Sequence, residues 1–208
     1  MQLQRPLGVI ASSVSVDVLA VLARADAVFT PPEVHRVIGH HSEDGVRKAL
    51  RMLDRQGIVV SERSGQAVRY QLNRQHLAAP HIVALASLRQ TLIDRLRNVI
   101  DGWTVPCAYA ALFGSAARGD MAVDSDIDLF VVRPAEVDAE NPQWGDQIDS
   151  LEATTRAWTG NDVRTLQQDA AEVRDGLRLG LRVLADIIEQ GVRLGGMADV
   201  LRLTTAAG

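Results

Sequence analysis

Two short motifs, Gly114-Ser115 and Asp126-Ile127-Asp128, each joined to an apolar run, constrain this 208-residue chain more than any other feature. Residues 105–113 are small and apolar, long enough for a buried strand, and end directly at Gly114. Leu129 to Val132 continue a second buried strand from the acidic pair. Glycine lets the backbone approach a ligand closely, and Ser115 opens a short stretch of small residues whose free helical N–H groups can receive phosphate oxygens. Arg118, on that stretch, can add a forked charge to a triphosphate. Two-residue spacing puts Asp126 and Asp128 on one strand face. Such a pair supplies hard oxygen ligands to Mg²⁺, with Mn²⁺ as its substitute, while substrate phosphates complete the coordination shell.

A DxD alone recurs in many acidic loops. Here it follows Gly-Ser after ten intervening residues, with one strand before the first motif and another within the second. That combination, with the downstream EQGVRLGG, resembles the minimal nucleotidyltransferases of bacteria, in the DNA-polymerase-beta-like superfamily, over residues about 105–197. The resemblance implies a triphosphate over Gly114 and Ser115, metals on Asp126 and Asp128, and attack of an acceptor hydroxyl on the α-phosphorus with pyrophosphate leaving. It also implies a third carboxylate on a later strand, which completes the metal site and helps to deprotonate the acceptor. The candidate strand is NDVRTLQQ, where Asp162 is the only acid and stands at the very start, with Arg164 and Gln167 inside. Asp162 is the expected third catalytic residue, with Asp169 as its alternative. If the register puts Arg164 in that position, a positive charge sits beside the metals and weakens their binding.

The first third of the chain reads differently. Ser13 caps a helix carrying Val14, Val18, Leu19 and Leu22, and Thr30 caps a short one with Pro31 at its first position. Ser42 precedes a third, with Val46, Ala49, Leu50 and Leu53 facing inward. Residues 58–72 read as two strands around Ser64-Gly65-Gln66. Three helices and a hairpin form the winged helix-turn-helix pattern, and residues 13–73 resemble bacterial winged-helix regulators. The resemblance implies that the helix over 42–56 enters the major groove, with Ser42, Arg47, Lys48 and Arg51 near bases or phosphates and Arg63 and Arg69 on the backbone. The other reading of these cations is a solvated face. His40-His41 read as turn residues, since the chain has one cysteine and no carboxylate lies nearby at ligand spacing.

The expected architecture is therefore α/β (α+β): a winged helix domain over 1–74, a connecting helix over 75–103, and a nucleotidyltransferase fold over 104–208 with a small mixed sheet flanked by helices. The stripe Leu85, Leu88, Leu92, Leu96, Val99 and Trp103 on the connecting helix fits either packing on the second domain or pairing in a homodimer. Charge divides the same way. Residues 1–75 hold ten Arg/Lys against seven Asp/Glu, and the remainder twelve against nineteen. No apolar run approaches the ~20 residues that span a bilayer, and the lone Cys107 reads as a buried reduced thiol, so a cytoplasmic setting with no membrane partner is expected. Two functions follow: nucleotidyl transfer from a nucleoside triphosphate to a hydroxyl on nucleic acid or protein, or a DNA-binding regulator or antitoxin-like protein that senses nucleotide without turnover.

Overall fold

In a computed structural model, which describes residues 1–9, 13–197 and 201, the chain divides into two compact units, Gln2–Arg89 and Gln90–Gly208. Residues 202–208, the end of the expected second domain, lie outside the described residues.

The first unit is built on three capped helices. Ser13 Oγ accepts from Val16 N at the start of α1 (Val14–Arg24), and the Glu33 carboxylate accepts from both the backbone N–H and the hydroxyl of Thr30 to lock the first turn of α2 (Pro31–Ile38). Gly39, at φ +77°, ends α2 in the left-handed conformation that a side chain disfavours. Ser42 Oγ then accepts from Gly45 N to begin α3 (Glu43–Arg55). The antiparallel hairpin β1 (Val59–Ser64) and β2 (Ala67–Leu72) follows. Phe29, just before α2, exchanges two 2.8 Å backbone hydrogen bonds with Tyr70, so the α1–α2 connection acts as a one-residue third strand. Val18, Leu22, Val34, Val46, Leu50, Leu53, Val59 and Tyr70 form one buried core.

Residues 75–103, expected as one connecting helix, are two. The first, α4 (Ala79–Ala86), buries Ala79 and Ala86 in the core of the first unit, and α5 (Leu88–Asp101) buries Leu92, Ile93, Leu96 and Ile100. The break falls at Ser87, whose hydroxyl donates to Val83 O, the local competition with the helical ladder that serine favours. The expected stripe crosses this break, so its two halves serve different cores. Of the stripe residues on α5, Leu92 and Leu96 are buried within the chain.

The second unit holds a four-stranded sheet, ordered β5 (Val163–Asp169), β4 (Ile127–Arg133), β3 (Tyr109–Phe113) and β6 (Val192–Gly196). The central strand β4 lies antiparallel to β3 and parallel to β5, reached through the long crossover helix α7 (Pro142–Thr159). Leu129 to Val132 are buried on both faces, as an inner strand requires. Tyr109, Ala111, Phe130 and Val132 pack with Val173, Leu184 and Ile187, carried on α8 (Ala170–Arg178) and α9 (Arg182–Gln190). The short helix α6 (Gly114–Arg118) leaves the end of β3. The fold is thus a mixed α/β one with a small sheet flanked by helices, as the sequence led us to expect.

Leu50 is fully enclosed. Leu50→Ala should cost about 2–5 kcal/mol, read as a lower urea midpoint by circular dichroism. A loss below about 1 kcal/mol, the scale of a surface change, would mean that this core is not sealed.

Candidate functional site

The site forms where β3 turns into α6. Gly114 has φ +66°, and a Cβ there would overlap Asp128 Oδ2 and stand 3.2 Å from its Cγ. The overlap follows from the register, because Phe113 pairs with Asp128 across β3 and β4 and the next residue must pass over that carboxylate. Any other residue would be strained by its backbone angle and obstructed by Asp128.

Asp126 stands one residue before β4 and Asp128 on it, with the alternation that sends both to one face. Burial chiefly, and then the charge of Asp126, push the Asp128 carboxyl above its ordinary range, while Arg164 and Arg118 oppose the shift. Burial and the neighbouring charge disfavour the ionised form of Asp128, and a hard divalent ion beside it would relieve that cost.

The strand expected to bring a third acid brings an arginine. Asp128 pairs with Arg164 across β4 and β5, and Arg164 Nε stands 2.9 Å from Asp126 Oδ2. The Arg164 side chain is 76% exposed, so this pair is worth only about 0.2–1 kcal/mol and the guanidinium can leave it readily.

Asp162 lies outside β5. Its carbonyl accepts from Ile127 N, and its exposed carboxylate stands 3.4 Å from Arg156 Nε, although the residue borders the same polar depression as Asp124, Ser125, Asp126 and Asn161. Asp169 caps α8, accepting from Ala171 N and Glu172 N, and pairs with Arg133. Arg118 turns to Asp120 at 3.1 Å. Ser115 begins the first turn of α6, and its carbonyl accepts from Gly119 N. Sequence spacing did not disclose Asn161, whose buried amide donates to Val123 O and Ser125 O and so ties the loop before Asp126 to the start of β5.

Trp144 donates from Nε1 to Gln167 Oε1 and meets Trp103 edge-on, while Trp158 lies under the Arg95 guanidinium. Burial pushes the Cys107 thiol up to about 11, which keeps it protonated and unreactive at neutral pH.

On the first unit, Ser42 Oγ is occupied as the cap of α3. Arg47 pairs with Glu43 and Lys48 with Asp44, each one helical turn away. All of Arg47, Lys48, Arg51, Arg63 and Arg69 are exposed. Arg47 and Arg51 line a groove with Thr30, Pro31, Gln66 and Tyr70, between α3 and the hairpin.

Residues 103–191 match the family described as Nucleotidyltransferase domain. No curated protein matches the chain. Solved structures similar to it include crystal structures of a toxin-antitoxin with AMP-PNP, at 17% identity over 54% of this chain and 79% of that one, with TM-score 0.37. Two mutants of the toxin-antitoxin MntA-HpeT are similar at 16% identity over 54% and 79%, TM-score 0.37, and at 23% over 55% and 78%, TM-score 0.34. Among the described residues no helix is long and apolar enough to cross a membrane.

Gly114→Ala should lower stability by about 1–3 kcal/mol through its backbone angle and the displaced Asp128, and should abolish any Mg²⁺-dependent nucleotide binding. Gly145→Ala, on α7 with nothing within 4 Å of the added carbon, should instead stabilise by about 0.5–1 kcal/mol. Paired thermal melts and nucleotide titrations would refute the steric account if the two variants behaved alike.

Proposed function

We propose that residues 103–191 bind a nucleoside triphosphate with Mg²⁺ or Mn²⁺ and transfer its nucleoside monophosphate to a hydroxyl on a macromolecule, nucleic acid or protein, while residues 1–74, as a winged helix domain, engage DNA. The observation that supports this most is the closure of Gly114 over Asp128, which keeps a backbone free of side chain against an acidic pair. A carboxylate pair on one strand face suits a hard cation, and the bare backbone leaves room for phosphate oxygens. Once bound, Mg²⁺ would supply charge neutralisation at the phosphates and align the attacking and leaving oxygens.

The remaining roles belong to the side chains. Asp126 and Asp128 would hold the cation, and Arg118 and Arg164, both held by exposed pairs, are free to swing to phosphate oxygens. Asp162 borders the same depression as Asp126, together with Asp124. Its pairing with Arg156 has to break before it can accept a proton from an acceptor hydroxyl.

Arg164 itself favours a second reading. Facing Asp128 across the sheet, it leaves one positive charge where a third carboxylate would complete a two-metal site. Such a site retains nucleotide and one cation and slows transfer, which would make the chain a nucleotide-sensing, DNA-binding regulator.

Incubation with each α-labelled triphosphate, Mg²⁺ and candidate acceptors decides between them. Transfer is expected from the wild type and not from Asp126→Ala/Asp128→Ala, with Arg164→Asp faster than wild type. Mg²⁺-dependent nucleotide binding with no transfer in either wild type or Arg164→Asp would favour the regulator, and absence of binding would sink both readings.

For the first unit, DNA affinity should fall steeply with salt, and Arg47→Ala/Arg51→Ala should reduce the slope of log affinity against log salt by roughly 2, about one for each phosphate contact removed. An unchanged slope would leave the groove as a protein-contact surface.

A further inference from the structure

His40 and His41 occupy the turn between α2 and α3, and the fold brings a buried acid from α1 to them. Asp17 Oδ2 stands 2.8 Å from His41 Nε2 and 3.2 Å from His40 Nε2. The carboxylate lies 23 residues before His40, beyond what sequence spacing discloses. The three ligand atoms lie within 4.8 Å of one another.

Hydrogen-bond inventory at His40 does not close with a neutral ring. Its Nδ1 is 2.8 Å from the carbonyl of Ile38, which only accepts, so Nδ1 must carry the proton. A neutral imidazole then presents a bare lone pair at Nε2, and that lone pair faces the Asp17 carboxylate. Arg5 keeps this carboxylate ionised, donating from Nε to Oδ1 at 3.2 Å and from Nη2 to Oδ2 at 2.8 Å. Two lone pairs directed at each other call for a positive charge between them, which either a second proton on the ring or a metal ion supplies.

We infer that Asp17, His40 and His41 form a binding site for a divalent transition metal of the Zn²⁺ class in the first unit. Imidazole nitrogens and a carboxylate oxygen are the donors that Zn²⁺ takes at about 2.0–2.2 Å. Tetrahedral geometry at those lengths sets donors about 3.3 Å apart, so the observed 2.8 and 3.2 Å separations need only a small outward movement. The Nδ1 bond from His40 to Ile38 is the outer-shell contact that fixes the tautomer and ring orientation of a metal-binding histidine. Arg5 can retain Oδ1 while Oδ2 turns to the metal. His40 is open to solvent and provides a path of entry, and the fourth position is left for water. The ion would bind α1 to the turn that ends at Ser42, the cap of α3, and so stabilise the start of the helix assigned to DNA.

The test uses the full chain, titrated with Zn²⁺ against a chromophoric chelator in the Asp126→Ala/Asp128→Ala background, which removes the other carboxylate pair. One equivalent should bind, and adding His40→Gln/His41→Gln should weaken it by more than roughly tenfold, the least that losing even an outer-shell partner costs. Equal binding in both backgrounds, or none in either, overturns the site. Long-range ¹H–¹⁵N correlation on the otherwise unaltered protein gives a result independent of histidine substitution. One equivalent of Zn²⁺ should move the Nε2 signals of His40 and His41 while Nδ1 of His40 stays protonated, and unmoved Nε2 signals would reject the proposal.

Discussion

The apposition of Gly114 and Asp128 governs the second unit. It arises from strand register, since β3 and β4 pair so that Phe113 lies opposite Asp128 and the chain must then turn over the carboxylate to enter α6. A one-residue slip would send every side chain of β4 to the opposite face, taking Phe130 and Val132 out of the cluster they share with Val173, Leu184 and Ile187 and turning both acids away from the turn. The buried cluster around those two residues therefore fixes the acidic pair as firmly as any direct contact does. Site and core are specified by the same pairing.

That pairing also explains why Arg164 matters more than its exposure suggests. The backbone of β5 is held to β4 by a parallel register that runs from Ile127 and Val163 to Arg133 and Asp169, so position 164 cannot drift from Asp128. The guanidinium at its tip is free to move although its origin is not. Near the acidic pair it supplies a positive charge, and near a bound triphosphate it would become one more donor to phosphate. A fixed base with a mobile charge suits recognition of a highly charged ligand better than it suits proton abstraction.

Much of this was legible in the sequence because it depends on local periodicity. The inward stripe Val46, Ala49, Leu50 and Leu53, the caps at Ser13, Thr30 and Ser42, and the strands flanking Gly114 and Asp128 all follow from spacings of two to four residues. What spacing does not carry is register between distant segments. The place of Arg164 opposite Asp128 depended on how β5 slides along β4, and the meeting of Asp17 with His40 and His41 on how α1 packs against the α2–α3 turn. The break at Ser87 was hidden for the opposite reason. The apolar spacing continues across it, and serine alone marks the point where one core ends and another begins.

The cations of α3 and the arginine of β5 share one physical character. Arg47 and Lys48 are paired with acids one turn away on an exposed helix face, where such pairs contribute only about 0.3–0.5 kcal/mol. Exchanging a carboxylate partner for a phosphate therefore costs little, while Glu43 and Asp44 remain near the N-terminus of α3, where the helix dipole favours negative charge. These acids stabilise the helix and moderate its charge at once. A non-specific polyanion meets a surface that is only partly positive, so appreciable affinity requires the groove beside Arg51 and the hairpin to fit the ligand as well as attract it.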